Sequence, residues 1–240
     1  MKKTMFTGFL ILLMFSLVIG CDNATKREAV FIEETETKSE SSPVQEIATA
    51  AKDTATSIMK TQESQVPEGS ELIVADFNSG EKPNNIGGNF GAWDKDPADF
   101  SQGCSESFDS ANRYGASGFS MKLDYDVDSD NPAYNGFWMM LQNVDVSGYD
   151  NLAFKVKGDL DEGYTTVLKV ELKNANRQVG RFYITEIGGD WKEIIIPLND
   201  FKGINDFSNL TEFVIVFEDR IASNKDGVIY IDDIKFTKGT

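Results

Sequence analysis

Short apolar segments alternate with clusters of glycine, asparagine and aspartate from residue 71 onward. The alternation of apolar and polar positions predicts strands near residues 71–77, 118–127, 136–143, 150–157, 165–173, 179–185, 191–197, 212–218 and 227–237, with weaker candidates near 88–93 and 105–109. No segment between them has the periodicity of a long amphipathic helix. Many short strands without interleaved helices indicate an all-β domain, and we expect a jelly-roll β-sandwich over residues 70–240.

Alternation within these strands separates a core face from an outer face. The predicted inward residues are Leu152, Phe154, Val156, Leu168, Val170, Leu172, Phe182, Ile184, Phe213, Ile215 and Phe217. The predicted outward residues include Asp124, Asp126, Trp138, Arg181 and Tyr183, which we expect on one face. Large aromatic side chains on an outer face indicate a binding surface, although half-burial at a sheet edge would account for them equally well.

The last predicted strand, GVIYIDDIKF at residues 227–236, contains two adjacent aspartates. If Ile234 and Phe236 face the core, strict alternation places Asp232 on the same side and Asp233 on the other. A buried carboxylate needs a cation, a positive side chain or backbone amides. Hard oxygen ligands without His or Cys would suit Ca²⁺, whereas an exposed acid at the end of a strand would need none.

The first residues of the chain have the features of a bacterial signal peptide. Lys2 and Lys3 precede an apolar run that ends in Val-Ile-Gly-Cys at Cys21. This pattern resembles the lipobox of bacterial lipoproteins, which implies that residues 1–20 are removed and that a lipid is attached to the Cys21 thiol. The alternative is an uncleaved anchor. We therefore expect a lipid-anchored protein of the bacterial cell envelope, at the outer membrane or cell surface.

The segment that follows, residues 21–69, is rich in Thr, Ser, Glu, Lys and Ala and contains a single aromatic residue, Phe31. So little apolar surface does not offset the entropy lost on ordering, and we expect a flexible tether.

Composition excludes several classes of function. The chain has 39 acidic and 23 basic residues, a net charge of −16, which argues against a nucleic-acid partner because phosphates require a basic surface. Histidine is absent, which excludes a Ser-His-Asp triad, a histidine-ligated zinc and imidazole acid–base chemistry.

Five segments together resemble carbohydrate-binding modules of family 11 and related galactose-binding-like β-sandwiches. The segments, in chain order, are ADFNSG at 75–80, NGFW at 135–138, DWKEIIIPLNDF at 190–201, NLTEFVIVFED at 209–219 and IYIDDIKF at 229–236. The resemblance implies a structural calcium between the first and last strands, held by Asp76 and Asp232. It also implies a sugar cleft on a concave sheet, in which Tyr183 matches an aromatic residue and Phe137 stands where a tyrosine is expected.

A sixth segment, NNIGGNFGAW at residues 84–93, is more similar to the complex I intermediate-associated proteins. Its glycines permit a tight turn. Trp93 at its end could be a loop platform for a sugar ring or a plug of the core.

The leading hypothesis is therefore a non-catalytic lipoprotein that captures a poly- or oligosaccharide, of the β-glucan type, at the cell envelope. Sugar rings would stack on Trp93, Trp138 or Tyr183, while Asp124, Asp126 and Arg181 would bind hydroxyl groups. One alternative is an assembly factor resembling the intermediate-associated proteins. Another is a glycosidase, which needs two carboxylates roughly 5 to 9.5 Å apart, although no spacing in the sequence singles out such a pair.

Overall fold

Two antiparallel β-sheets pack face to face in the computed structural model, which describes residues 71–239. The strands of this part of the chain are β1 Glu71–Ala75, β2 Phe90–Asp94, β3 Gly103–Asp109, β4 Ser120–Asp126, β5 Tyr134–Val144, β6 Asn151–Gly158, β7 Leu168–Asn174, β8 Val179–Ile184, β9 Lys192–Pro197, β10 Leu210–Glu218 and β11 Asp226–Thr237. A short 3-10 turn at Leu198–Asp200 follows β9. The predicted all-β jelly-roll sandwich is confirmed, and both weaker candidates are strands.

Sheet I contains both terminal strands of the domain. Its order is β3-β4-β11-β6-β9, and β1 also pairs with β11. Sheet II has the order β2-β5-β10-β7-β8, so β10 lies at its centre between β5 and β7.

The predicted signal peptide, Cys21 and the predicted tether lie outside the described residues. Within the described part of the chain, no helix has the length and apolar character needed to cross a membrane.

The core forms where the inner faces of the two sheets meet. The predicted inward residues are all buried except Phe182, which is partly buried against the same core. Tyr125 of sheet I stacks on Phe217 of sheet II, with ring centroids 4.0 Å apart and planes inclined by 8°. Phe154 of sheet I meets Phe213 of sheet II edge to face at 6.0 Å. Aromatic contacts of this kind fix the two sheets against each other.

The terminal strand β11 departs from strict alternation at its two aspartates. The pairing register with β6 shifts between Asp232 and Lys235, and Asp233 has φ of 49°. This bulge inserts an extra residue, so that Ile231 and Ile234 both face the core. Asp232 therefore lies on the outer side of sheet I, and the prediction that it shares the side of Ile234 is wrong.

Candidate functional site

Strand register brings four of the predicted site residues to the outer face of sheet II. The outward-facing residues that pair across the five strands form two neighbouring rows. One row contains Gly91, Trp138, Val214, Glu171 and Arg181. The next contains Trp93, Gly136, Val216, Lys169 and Tyr183. Both tryptophans thus lie on the side of this face formed by β2 and β5, and the charged residues lie on the side formed by β7 and β8, where Tyr183 also lies.

An open cleft of about 430 Å³ runs between these two sides. Its aromatic wall is formed by Trp93, Tyr134 and Trp138. Its charged wall is formed by Lys169, Glu171, Lys173 and Glu212. Between the walls β10 contributes Val214 and Val216, whose small side chains leave room for a ligand.

Two glycines lie within the strands that carry the aromatic wall. A Cβ atom added to Gly91 would lie 3.3 Å from Nε1 of Trp138, so the glycine lets this indole lie close to the β2 backbone. Gly136, beside Trp93, has φ of 157°, and a Cβ there would lie 2.0 Å from the Ile215 carbonyl oxygen. Only glycine fits this position. The prediction that Gly91 permits a tight turn is wrong, because Gly91 lies within strand β2 and pairs with Trp138. Gly136 has no predicted role, although it pairs with Trp93 across the strands.

Trp93 is neither a loop platform nor a core plug, because it lies in strand β2 with part of its side chain exposed. Its ring packs edge to face against Tyr134 at 5.9 Å. Its indole N–H is buried without a hydrogen-bond acceptor. An unpaired buried donor costs stability unless a further group accepts its hydrogen bond.

The charged side of the face consists of interlocked ion pairs. Lys169 contacts Glu218 and lies 3.2 Å from Glu171, which also lies 3.3 Å from Nε of Arg181. Lys173 lies 3.2 Å from Glu212. Burial by itself would lower the pKa of Lys169, but the hydrogen bond to Glu218 and the charges of both carboxylates outweigh it and raise the pKa. Three cations thus balance three carboxylates on this side of the face.

Two predicted site residues lie elsewhere. Asp124 and Asp126 belong to β4, and they lie on the outer face of sheet I, on the opposite side of the sandwich from the cleft. Asp124 is near Lys122, and Asp126 accepts the N–H of Asp128. The predicted grouping of these acids with Trp138 and Arg181 is therefore wrong, because alternation does not tell which sheet a strand joins.

The remaining aromatic candidates differ in position. Phe137 is fully buried and packs against Phe90 in the core, so it cannot reach a ligand on the outer face. Tyr183 is 50% exposed on the edge strand β8, beyond the charged wall. With Arg181 it borders a separate shallow hollow. Tyr134 of the aromatic wall was missed by sequence analysis, since it precedes the predicted strand at 136–143.

Of the two predicted calcium ligands, Asp232 lies in β11 and Asp76 directly follows β1, near enough for its charge to act on Asp232. Asp232 is only 2% exposed, and it accepts the N–H groups of Tyr114 and Asp233 at 3.1 and 2.8 Å. The pKa of Asp232 is raised to about 7, because burial and the charges of Asp233 and Asp76 raise it by more than the two N–H groups lower it. Among residues 71–239, no three acidic, cysteine or histidine side chains converge as metal ligands. A cation here would need further oxygen donors.

A two-sheet β-sandwich with tryptophans and ion-paired polar groups in an open cleft has the architecture of a carbohydrate-binding module. Residues 86–238 match the family Carbohydrate binding domain 30. The chain belongs to this family, which confirms the predicted class of carbohydrate-binding β-sandwich. Comparison with curated proteins gives no significant match.

Solved structures of low sequence identity share the fold. A family 11 carbohydrate-binding module from Clostridium thermocellum in complex with a β-1,3-1,4-mixed-linked tetrasaccharide is 21% identical, with a TM-score of 0.53, and the match covers 70% of this chain and 96% of that one. The family 11 module of a cellulosomal cellulase of Clostridium thermocellum is also 21% identical, with a TM-score of 0.52 and coverages of 71% and 96%. An exo-β-agarase is 16% identical, with a TM-score of 0.50 and coverages of 70% and 25%.

Replacing Lys169 by methionine should destabilise the domain by about 1–3 kcal/mol, because Glu171 and Glu218 would lose the charged donor that they share. Urea-induced unfolding of the full chain measures this loss. Lys173→Met is the matched control, since Lys173 is more exposed and has one partner, and it should cost less.

The effect of Lys169 should also depend on pH with a definite sign. The ion pairs of charged Lys169 stabilise the folded state, and they raise its pKa there. This stabilisation is fully present below the unfolded pKa of about 10.4 and is lost as the pH rises through the folded pKa. The difference between wild type and Lys169→Met should therefore stay constant near neutral pH and decrease above about pH 10.4. An equal loss in both lysine variants would contradict the ion-pair account.

Proposed function

We propose that this chain captures a neutral poly- or oligosaccharide of the β-glucan type at the bacterial cell envelope and does not alter it chemically. The observation that supports this most strongly is the cleft of sheet II, in which an aromatic wall faces a wall of ion pairs. A sugar ring has apolar C–H faces and polar hydroxyl edges. The two walls complement these two kinds of surface.

Binding would use the aromatic wall for contact area and the charged wall for orientation. Sugar faces would stack on Trp138 and Trp93, because rigid aromatic rings bury a large area at a low entropic cost. Hydroxyl groups would bind the carboxylates and ammonium groups of the charged wall through charge-assisted hydrogen bonds. The ion pairs hold these groups in place before a ligand arrives, which reduces the entropy lost on binding.

Charge balance favours a neutral ligand. Lys169, Lys173 and Arg181 are paired with three glutamates, so the charged wall has no net charge to attract a uronate or sulfate group. The whole chain, with a net charge of −16, would repel an anionic polysaccharide. The mixed-linked tetrasaccharide in the related family 11 structure supports a β-glucan as the first ligand to test.

The carboxylates of the cleft support binding rather than hydrolysis. Glu171, Glu212 and Glu218 each have a lysine or arginine partner, so their oxygen atoms already take part in ion pairs. A glycosidase needs one carboxylic acid to protonate the leaving group and a second carboxylate to act as base or nucleophile. Release of reducing sugar from β-glucan by the purified protein would contradict a non-catalytic role.

Trp138→Ala should weaken binding to soluble mixed-linkage β-glucan by about tenfold or more, because the stacking surface is lost. Affinity electrophoresis of the full chain measures this as a loss of retardation in glucan-containing gels. Asp124→Ala, on the opposite sheet, is the matched control and should be retarded like the wild type. Wild-type migration that no neutral polysaccharide retards would refute the proposed function.

A calcium ion on sheet I would be structural. Asp232 is buried with the carboxylates of Asp76 and Asp233 nearby, and oxygen ligands of this kind suit Ca²⁺. When bound, the ion would neutralise the charge that burial makes unfavourable and would join the end of β1 to β11.

The calcium proposal predicts a shift in melting temperature. Chelator should lower the Tm, and Ca²⁺ at about 100 times its Kd should raise it by about 5–10 °C. Asp232→Asn should abolish this response, whereas Asp124→Asn should keep it. A Tm that is the same with chelator and with Ca²⁺ would remove calcium from the account.

The N-terminal sequence supports a lipid anchor as part of this function. The lipobox-like Val-Ile-Gly-Cys would supply Cys21 for lipidation, and residues 21–69 as a flexible coil would reach roughly 35–40 Å from the membrane. Metabolic labelling with a fatty acid in a bacterial host should label the wild type but not Cys21→Ser. Equal labelling of both would contradict the anchor.

A further inference from the structure

A second cavity adjoins the cleft at the end where β5 begins. It has a volume of about 270 Å³ and is lined by Pro132, Tyr134, Glu218, Asp219 and Arg220. Tyr134 also lines the cleft, and Glu218 contacts Lys169 of the charged wall. The two cavities are therefore adjacent, with the Tyr134 ring between them.

The second cavity continues the cleft in the direction of β10. The cleft follows β10, and the distance along this strand from Glu212 to Glu218 is roughly 20 Å. Glu218 is the last residue of the strand, and Asp219 and Arg220 follow it directly. An elongated ligand that lies along the cleft would pass over Tyr134 and enter the second cavity.

The border between the two cavities is held firmly in place. Tyr134 is 42% exposed, yet its ring packs against Trp93 at 5.9 Å and lies 5.2 Å from Nζ of Lys95. The same lysine donates a hydrogen bond of 2.8 Å to the Pro132 carbonyl. Asp99 joins the two neighbouring loops, because it accepts hydrogen bonds from Ser129 and Asn131. These contacts connect Tyr134 to both neighbouring loops.

Arg220 distinguishes the second cavity from the cleft. In the cleft each lysine of the charged wall has a carboxylate partner. Arg220 forms no ion pair and no side-chain hydrogen bond with any of the residues that the structure describes, although it lines the cavity. A planar guanidinium presents several N–H donors in a fixed geometry, which suits neighbouring hydroxyl groups of a sugar.

We propose that the second cavity is an additional subsite, in which Arg220 binds the hydroxyl groups of a further sugar unit of the same chain that occupies the cleft. This inference rests on the proposed function and extends it, because it makes the length of the saccharide a determinant of affinity. Tyr134 serves both sites as a stacking surface. Pro132 supplies an apolar contact beside it.

The test uses the full chain and a series of soluble mixed-linkage β-glucan oligosaccharides of increasing length, together with the intact glucan. Isothermal titration calorimetry measures the affinity of wild type, Arg220→Ala, Arg177→Ala and Trp138→Ala. Arg177 is the matched control, since it is an exposed arginine in the turn between β7 and β8, at the opposite end of sheet II.

Arg220→Ala should bind the shortest oligosaccharides like the wild type and should bind the longer ones and the intact glucan about tenfold more weakly. Arg177→Ala should be unchanged at every length, and Trp138→Ala should lose affinity at every length. If Arg220→Ala equals the wild type at every length while Trp138→Ala loses binding, the second subsite is refuted and the cleft stands. If Trp138→Ala also equals the wild type, or if the wild type binds no oligosaccharide, the proposed function itself is refuted.

Discussion

Strand β10 pairs with β5 on one side and with β7 on the other, and this double register determines both faces of sheet II. Its inward residues Phe213, Ile215 and Phe217 complete the core, while Val214 and Val216 form the base of the cleft. A slip of one residue would exchange the two sets and would expose three aromatic or branched side chains. The core contacts of Phe217 and Phe213 with sheet I oppose such a slip, so the energy that folds the domain also positions the cleft.

The two walls of the cleft depend on different interactions. The aromatic wall depends on close packing, because Gly91 leaves the space that the Trp138 indole requires and Gly136 lets β5 lie close to the β10 backbone. The charged wall depends on ion pairs that are only partly buried, with Lys169 shared between two carboxylates. The pairs of Lys169 contribute to stability because they are mostly buried, whereas the more exposed pair of Lys173 adds little. All of them also orient several hydrogen-bonding groups at once.

Much of the fold could be predicted from the sequence, because alternation within a strand is a local property. The inward residues of β6, β7 and β10, and the outward position of Trp138, follow directly from it. The family fold was also predicted from short segments, such as IYIDDIKF at residues 229–236.

The remaining features depend on pairing between distant strands or on local irregularity. Asp124 was assigned to the wrong face because the sequence does not show that β4 joins sheet I. Asp232 was assigned to the wrong side because the bulge at Asp233 resets the alternation. Tyr134, Lys169 and Glu218 form one site only because three strands that are far apart in the sequence lie in register. No motif predicts such a set.

The central claim is that ligand binds to the outer face of sheet II, and the three tryptophans of the chain allow a direct test. Trp93 and Trp138 line the cleft, whereas Trp191 packs against Tyr114 beside sheet I, at a ring distance of 6.0 Å. In a nitrogen–proton NMR titration with soluble β-glucan, the indole signals of Trp93 and Trp138 should shift and that of Trp191 should not. A shift of the Trp191 signal alone, or no shift of any indole signal at saturating glucan, would contradict this account.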